Sequence, residues 1–162
     1  MRSGELPVPG KSSDELTAEL AELGGDLLVR TLPAIADGSA VWIEQDESLV
    51  THAAKIAKAE LRLDPATGTQ DNERRVLASS DAAPARCIVA GKQVRIMRAA
   101  VASPAPRLAA GVCSMSDKRL LLACADGVLE VTSIKPDGKR EMDAASFCAG
   151  IREETAEWSK LA

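Results

Sequence analysis

Six cations near two turns are the residues whose types and spacing best suit a chemical role. Lys135, Lys139 and Arg140 belong to the turn Lys135-Pro136-Asp137-Gly138-Lys139-Arg140. Its proline pre-sets φ, its aspartate bonds back to the backbone, and its glycine takes the left-handed position. Lys92, Arg95 and Arg98 follow the turn Ala90-Gly91-Lys92, in a stretch where Arg95 alternates with Val94 and Ile96. Cations grouped in this way can hold the phosphates of a nucleic-acid backbone, releasing condensed counterions without reading bases. The plainer use is a solvated basic turn. Trp42, Trp158 and Phe147 are the only aromatic residues. Base stacking is therefore not expected, and an RNA contact would be backbone-directed and salt-sensitive.

Other reactive types lack partners. His52 is the only histidine, and no nucleophile or carboxylate pair is spaced to work with it. Asp64, Asp71 and Glu73 read as a solvated helix face. Cys87, Cys113, Cys124 and Cys148 are widely and irregularly spaced, without a CxxC pair. Buried free thiols are expected rather than a zinc site or disulfides. No P-loop or GxGxxG run occurs. No catalytic residue and no metal ligand is assigned.

Charge divides unevenly. Residues 1–84 hold 8 Lys and Arg against 15 Asp and Glu, a net of −7, while residues 85–162 hold 12 against 9, a net of +3. A nucleic-acid partner is therefore admissible only for the C-terminal half. No run approaches the roughly 18 apolar residues of a membrane span. The N-terminus has no apolar signal core, so export is not expected.

The elements that must position these residues fall into two stretches. Met1–Ser12 reads as an extended arm. A long helix follows from Ser13 or Asp14 to about Asp37, with one apolar stripe: Leu16, Leu20, Leu23, Leu27, Leu28, Leu32 and Ile35. Gly24 and Gly25 interrupt it and suggest close approach of another backbone; Pro33 lies in its last turns. Ala40–Ile43 is a candidate strand. Val50–Leu63 and Gln70–Ala78 are shorter helical candidates, and Ser79–Pro84 is a linker. Strand signals follow at Ala85–Val89, Gln93–Val101, Leu108–Ser114, Arg119–Cys124 and Gly127–Ile134. Ala125-Asp126-Gly127 makes a hairpin between the last two. Asp143 caps a short helix, Ala144–Ala149, which Gly150 ends. The tail, Ile151–Ala162, reads as helical or frayed. The fold class is α+β: an N-terminal helical arm and linker over 1–84, then a small antiparallel OB-like β-barrel over 85–162.

The run TSIKPDGKREMDAASFCAG resembles the terminal signature of the methionyl-tRNA formyltransferase family. ADGVLEV, GKQVRIMRAAV, QDESLVTHAAKIAKAELRLD and ELTAELAELGGDLLVRTLPAI are similar, in order, to that family's strand, hairpin, interdomain segment and last catalytic-domain helix. His52 stands where the family usually has tyrosine, and Ser79-Ser80-Asp81-Ala82-Ala83-Pro84 replaces its Asn-Pro-Trp-Pro linker. The family's Asn-x-His-x-Ser-Leu-Leu-Pro run does not occur. The resemblance implies formyl transfer from 10-formyltetrahydrofolate to initiator methionyl-tRNA, in the cytoplasm. The folate and the catalytic Asn, His and Asp would belong to a catalytic domain this sequence lacks, so the chain alone is not expected to be catalytic. It implies tRNA contact by Lys135, Lys139, Arg140, Lys92, Arg95 and Arg98. It also leaves the stripe, including Leu16, Leu20, Leu23 and Leu27, as an interface to a separate catalytic domain or to a second copy. Two other readings stand beside it: a non-enzymatic dimerisation or interaction module, and the corresponding portion of another folate-dependent formyltransferase or hydrolase.

Overall fold

Ser12 opens the first helix, α1 (Ser13–Ala36), with a capping box. The Glu15 amide donates to Ser12 Oγ at 3.2 Å, and the Glu15 carboxylate accepts from the Ser12 amide at 2.9 Å. In the computed structural model, which describes residues 4–162, this helix belongs to one compact unit and the strands to another. The first three residues of the expected arm lie outside the described residues. The units divide between Lys55 and Ile56 rather than at residue 84. The reason is that the helix after residue 68 packs on the strands and shares their core.

In the first unit no residue of α1 is buried. Leu20, Leu28, Leu32 and Ile35 keep between 42% and 56% of their surface in solvent. A Cβ added at Gly24 or Gly25 would meet nothing within 4 Å, so the expected close backbone approach is not made among the described residues. Ala40–Ile43 is irregular, because no strand among the described residues pairs with it. A single 3-10 turn, Glu47–Leu49, follows.

The second unit is a closed barrel. Its strands are β1 (Arg86–Val89), β2 (Lys92–Val101), β3 (Val112–Ser114), β4 (Leu120–Ala123), β5 (Val128–Pro136), β6 (Met142–Asp143) and β7 (Thr155–Ser159). Neighbours run β2-β1-β7-β3-β4-β5, all antiparallel, and the β2–β5 pairing closes the ring; β6 pairs with β5. Positive φ at both Ala90 (49°) and Gly91 (72°) gives the tight β1–β2 turn the backbone twist that matches its strands. The Ala125-Asp126-Gly127 hairpin is closed by Cys124 N donating to Gly127 O at 2.8 Å.

Two expectations fail here. Val50–Leu63 is not a helix: irregular chain leads into a turn that ends at the buried Leu61, Arg62 forms a parallel bridge with Arg86, and Leu63 is buried beside β1, its amide donating to Arg86 O at 2.9 Å. The tail is neither helical nor frayed. Thr155–Ser159 is strand β7, hydrogen-bonded between β1 and β3. Its Trp158 is buried, with Nε1 donating to Ala123 O at 2.8 Å.

The core is aliphatic: Val94, Ile96, Leu120, Leu122, Leu129, Val131 and Ile134 fill the barrel with Trp158. The short helices plug it. α2 (Thr69–Leu77) contributes Val76, and α3 (Ala144–Ala149) contributes Ala144, Phe147 and Cys148. Asp143 caps α3 by accepting from Ser146 N at 2.6 Å. Leu121, on the other face of β4, packs with Ala102 and Val128, which explains why all four β4 residues are buried. The four cysteines are buried and free, and burial pushes the Cys87 thiol well above its ordinary range.

Candidate nucleic-acid interface

Strand register decides which cations meet. Arg86 on β1 lies opposite Arg95 on β2, and Arg95 lies opposite Lys135 on β5. Residues directly opposite on paired strands project from the same face, with Cβ atoms about 5 Å apart. Arg86, Arg95 and Lys135 thus form a transverse row of cations on the outside of the barrel, while Val94, Ile96 and Ile134 of the alternate positions fill the inside. Through its parallel bridge to Arg86, Arg62 continues the row on the backbone.

Turn chemistry sets the rest of the site. Gly138 takes φ of +73°, which leads the chain from Lys135 and Pro136 through Asp137 to Lys139 and Arg140. Lys139 and Arg140 are exposed and carry no ion pair among the described residues. Asp137 N donates to Gln93 O at 3.1 Å, tying the turn to β2. Arg98 is exposed further along β2, past a register shift in the β2–β5 pairing.

Two carboxylates already sit against the row. Asp81 accepts from Arg95 Nη1 at 2.6 Å, and Asp137 accepts from Arg86 Nη2. The Arg95 hydrogen bond, with the Arg95 and Lys135 charges, holds Asp81 below the usual carboxylate range. Asp81 is itself fully exposed, so its pair with Arg95 is of the water-screened kind that contributes little stability. The guanidinium stems are less accessible: the Arg95 side chain is 15% exposed and that of Arg86 31%. The Nε atoms of both are buried without an acceptor.

Of the six cations expected to act together, Arg95 and Lys135 are paired in register, with Lys139 and Arg140 in the adjoining turn. Lys92 goes elsewhere. It has the parity of Val94 and Ile96, and its Nζ lies 5.7 Å from the Phe147 ring centroid, at the α3 end of the barrel. Arg86 was not among the expected residues. It lies in the short run Arg86-Cys87-Ile88-Val89, and only cross-strand register reveals its neighbours. The useful signal was alternation: Arg86 and Ile88 share a face opposite the buried Cys87 and Val89.

The other candidates have structural partners. Asp64 accepts from the Ala66 amide and pairs with Lys160 at 3.1 Å; the amide bond, ahead of Lys160, lowers its pKa. Asp71 pairs with Arg74 at 3.2 Å, and Glu73 accepts from Val101 N at 3.3 Å. His52 is exposed in irregular chain. Among the described residues no cluster of His, Cys, Asp and Glu could hold a metal ion, and no helix is long and apolar enough to cross a membrane.

In the first unit, Gly24, Leu27, Leu28, Thr31, Ile35 and Trp42 help line an open apolar groove of about 380 Å³. Of the four expected interface leucines, Leu27 lines it and Leu20 is half exposed, while Leu16 and Leu23 are partly covered.

Comparison with known proteins agrees with this architecture. Residues 55–152 match the family described as formyl transferase, C-terminal domain. Methionyl-tRNA formyltransferase of Methylococcus capsulatus is 37% identical over 150 residues, which cover 87% of this chain and 49% of that protein. Its counterpart from Novosphingobium aromaticivorans is 40% identical over 146 residues, covering 90% of this chain and 46% of that protein. The chain thus spans about half the length of the curated relatives it matches. A variant of HypX from Aquifex aeolicus superposes on 91% of this chain and 27% of its own with a TM-score of 0.71 at 20% identity, a likeness of fold. HypX in complex with tetrahydrofolic acid superposes with a TM-score of 0.59 at 18% identity, over 75% of this chain and 22% of that one. Six antiparallel strands closed around an aliphatic core, with the matched segment running from the irregular residues before α2 to just past α3, place this chain in the formyl transferase C-terminal domain family.

Proposed function

We propose that this chain is the tRNA-contacting portion of a methionyl-tRNA formyltransferase-type protein. It would work in the cytoplasm and position the initiator tRNA backbone for an active site located on other residues. The observation that carries this reading is the basic edge of the barrel, where the Arg95–Lys135 register pair adjoins Lys139 and Arg140, exposed and without an ion pair among the described residues. Phosphate contacts of this kind fix orientation and carry no sequence information.

10-Formyltetrahydrofolate belongs to the family reaction. The residues of this chain do not fit it well. The apolar groove of about 380 Å³ offers only the Thr31 hydroxyl and the Trp42 indole N–H as polar side-chain groups, too few donors and acceptors for a pterin ring. Formyl transfer is therefore assigned to residues outside this sequence, and the chain's own part is binding and orientation.

The test is tRNA binding by the whole chain at low and moderate salt. Three phosphate contacts correspond to a loss of roughly 40-fold in affinity for an about fourfold rise in salt. Replacing Lys135, Lys139 and Arg140 together by Ala should weaken binding and flatten that slope. Absence of binding at low salt would sink the reading.

A second role rests on the first unit. A helix of 24 residues with none buried carries an apolar face that needs cover. The cover that suits it is the catalytic portion that the relatives carry in their other half. Co-purification with such a domain, lost in Leu27→Glu and Leu28→Glu variants, is the expected outcome; a stable homodimer of the chain alone would assign the face to a second copy instead.

A further inference from the structure

The row Arg86–Arg95–Lys135 is difficult to explain as a packing device. Like charges directly opposite one another on paired strands repel, and here the pattern spans three adjacent strands. The resident carboxylates reduce the repulsion but leave the group one charge positive. They are also poorly fitted. Asp81 engages Arg95 through Nη1, and Asp137 engages Arg86 through Nη2. Each guanidinium keeps its Nε–H buried and without an acceptor. A guanidinium is built to donate in parallel from two nitrogens, so both forks are half used.

The three cations converge on a cavity of about 130 Å³, well above the roughly 10–15 Å³ that one water needs on this measure. Pro84 and Pro136 line it as well, and neither supplies an N–H. Gly138 lines it too and has no side chain, so the side-chain donors at the cavity are the three cationic groups, and Asp137 lines it beside them. Both carboxylates come from turns, Asp81 in the Ser79–Pro84 linker and Asp137 in the turn after β5. Asp81 is fully exposed and Asp137 54% exposed. Such groups leave at little cost when a better acceptor arrives.

We propose that Arg86, Arg95 and Lys135 form a phosphate pocket in which Asp81 and Asp137 are resident stand-ins, displaced when a phosphate group of an RNA backbone enters. A phosphate presents several acceptor oxygens on one centre, so once the aspartates leave and the guanidinium groups turn their buried Nε–H toward the cavity, it engages the Nε–H and Nη–H of both arginines while Lys135 supplies a point charge. The proposal rests on the RNA reading for the source of the phosphate. Free orthophosphate shares the chemistry and serves as the separate probe. The two aspartates act as a filter: a ligand has to offer more than one carboxylate does before the pocket opens.

The experiment follows the arginine Nε–Hε resonances of the whole chain by NMR while inorganic phosphate is added, and in a second series while initiator tRNA is added. Saturable shifts of the Arg86 and Arg95 signals at millimolar phosphate are expected. Asp81→Asn and Asp137→Asn should each tighten phosphate binding at least roughly threefold, since the competitor is weakened. The charge-preserving pair Arg86→Lys with Arg95→Lys should weaken it about tenfold, because the fork is lost while the charge remains. Arg107→Lys serves as the control, and Trp158 fluorescence reports whether each variant keeps its barrel. The pocket is overturned if phosphate leaves both signals unmoved, or if the two Asn variants bind phosphate no better than the parent. Salt-sensitive tRNA binding that survives the double Lys variant unchanged also removes the pocket while sparing the RNA reading. Phosphate binding without tRNA binding does the reverse: the anion site stands and its RNA source falls.

Discussion

Asn72 holds the approach to the barrel from inside it. Its side chain is completely buried, accepts from Asp64 N at 3.0 Å and donates to Asp64 O at 2.9 Å, with Cys124 Sγ at 3.4 Å from Nδ2. Asn72→Ala leaves the Asp64 amide without its acceptor, while Asp64 O keeps the Thr67 amide and hydroxyl as donors; the loss should cost about 1–3 kcal/mol in denaturant unfolding. Asp126 works from the other side. Its carboxylate accepts from Thr69 N at 2.7 Å and Thr69 Oγ1 at 2.9 Å, joining the β4–β5 hairpin to the start of α2. Space is tight there: a Cβ on Gly68 would lie 2.9 Å from Asp126 Oδ2. The Thr69 amide, then its hydroxyl, hold Asp126 below the usual carboxylate range, and the Arg119 guanidinium does the same for Glu130. A carboxylate with a lowered folded pKa stabilises above its unfolded value, about 3.9 for Asp, and this stability is lost as pH falls through the folded value. The melting temperature should therefore hold down to roughly pH 5 and drop below about pH 4, with a shallower drop in Asp126→Asn. None of these pairings was legible in the sequence. Asp126 and Thr69 are 57 positions apart, and an asparagine in a highly charged helix gives no sign that it faces inward. The same holds for Arg86, whose role depends on a neighbour one strand over.

Element types were more legible than element fates. Helix α1 announced itself by its leucine spacing, β2 and β5 by alternation, β4 as a short apolar run, and β1 by the turn that follows it. Residues 50–63 and the tail did not, because tertiary contacts override weak local preference. Leu61 and Leu63 gain burial because a turn delivers the chain to the side of β1, where Arg62 bridges Arg86. In the tail, Ala156 and Trp158 alternate with Thr155, Glu157 and Ser159, a period of two that charged neighbours disguise. The two glycines of α1 offer a test at this scale. Neither Cβ would meet a neighbour, so Gly24→Ala and Gly25→Ala should each stabilise the helix by about 1 kcal/mol, read as increased ellipticity at 222 nm. A loss of helix would mean that something covers these glycines in solution.

At the scale of the molecule, the buried side chains are all in the second unit. They run from Leu61 to Trp158, while the first unit contributes none among the described residues. A fragment of residues 56–162 should therefore fold alone and keep Trp158 buried, checked by its fluorescence maximum and quenching. Charge is divided along similar lines, acidic over residues 1–84 and net basic after them. That division was readable from the sequence, and it is what directs the tRNA titration to the barrel.

The position of β7 also governs how the chain is made. Synthesis delivers β1 and β3 well before Thr155–Ser159, yet that segment is the plank between them. Until it leaves the ribosome, the nascent chain presents two unpaired strand edges and an indole-sized gap where Trp158 will lodge. Vectorial folding cannot finish the ring piecemeal, so the barrel snaps shut late, and the interval before that is its window for sticking to other chains and for chaperone capture.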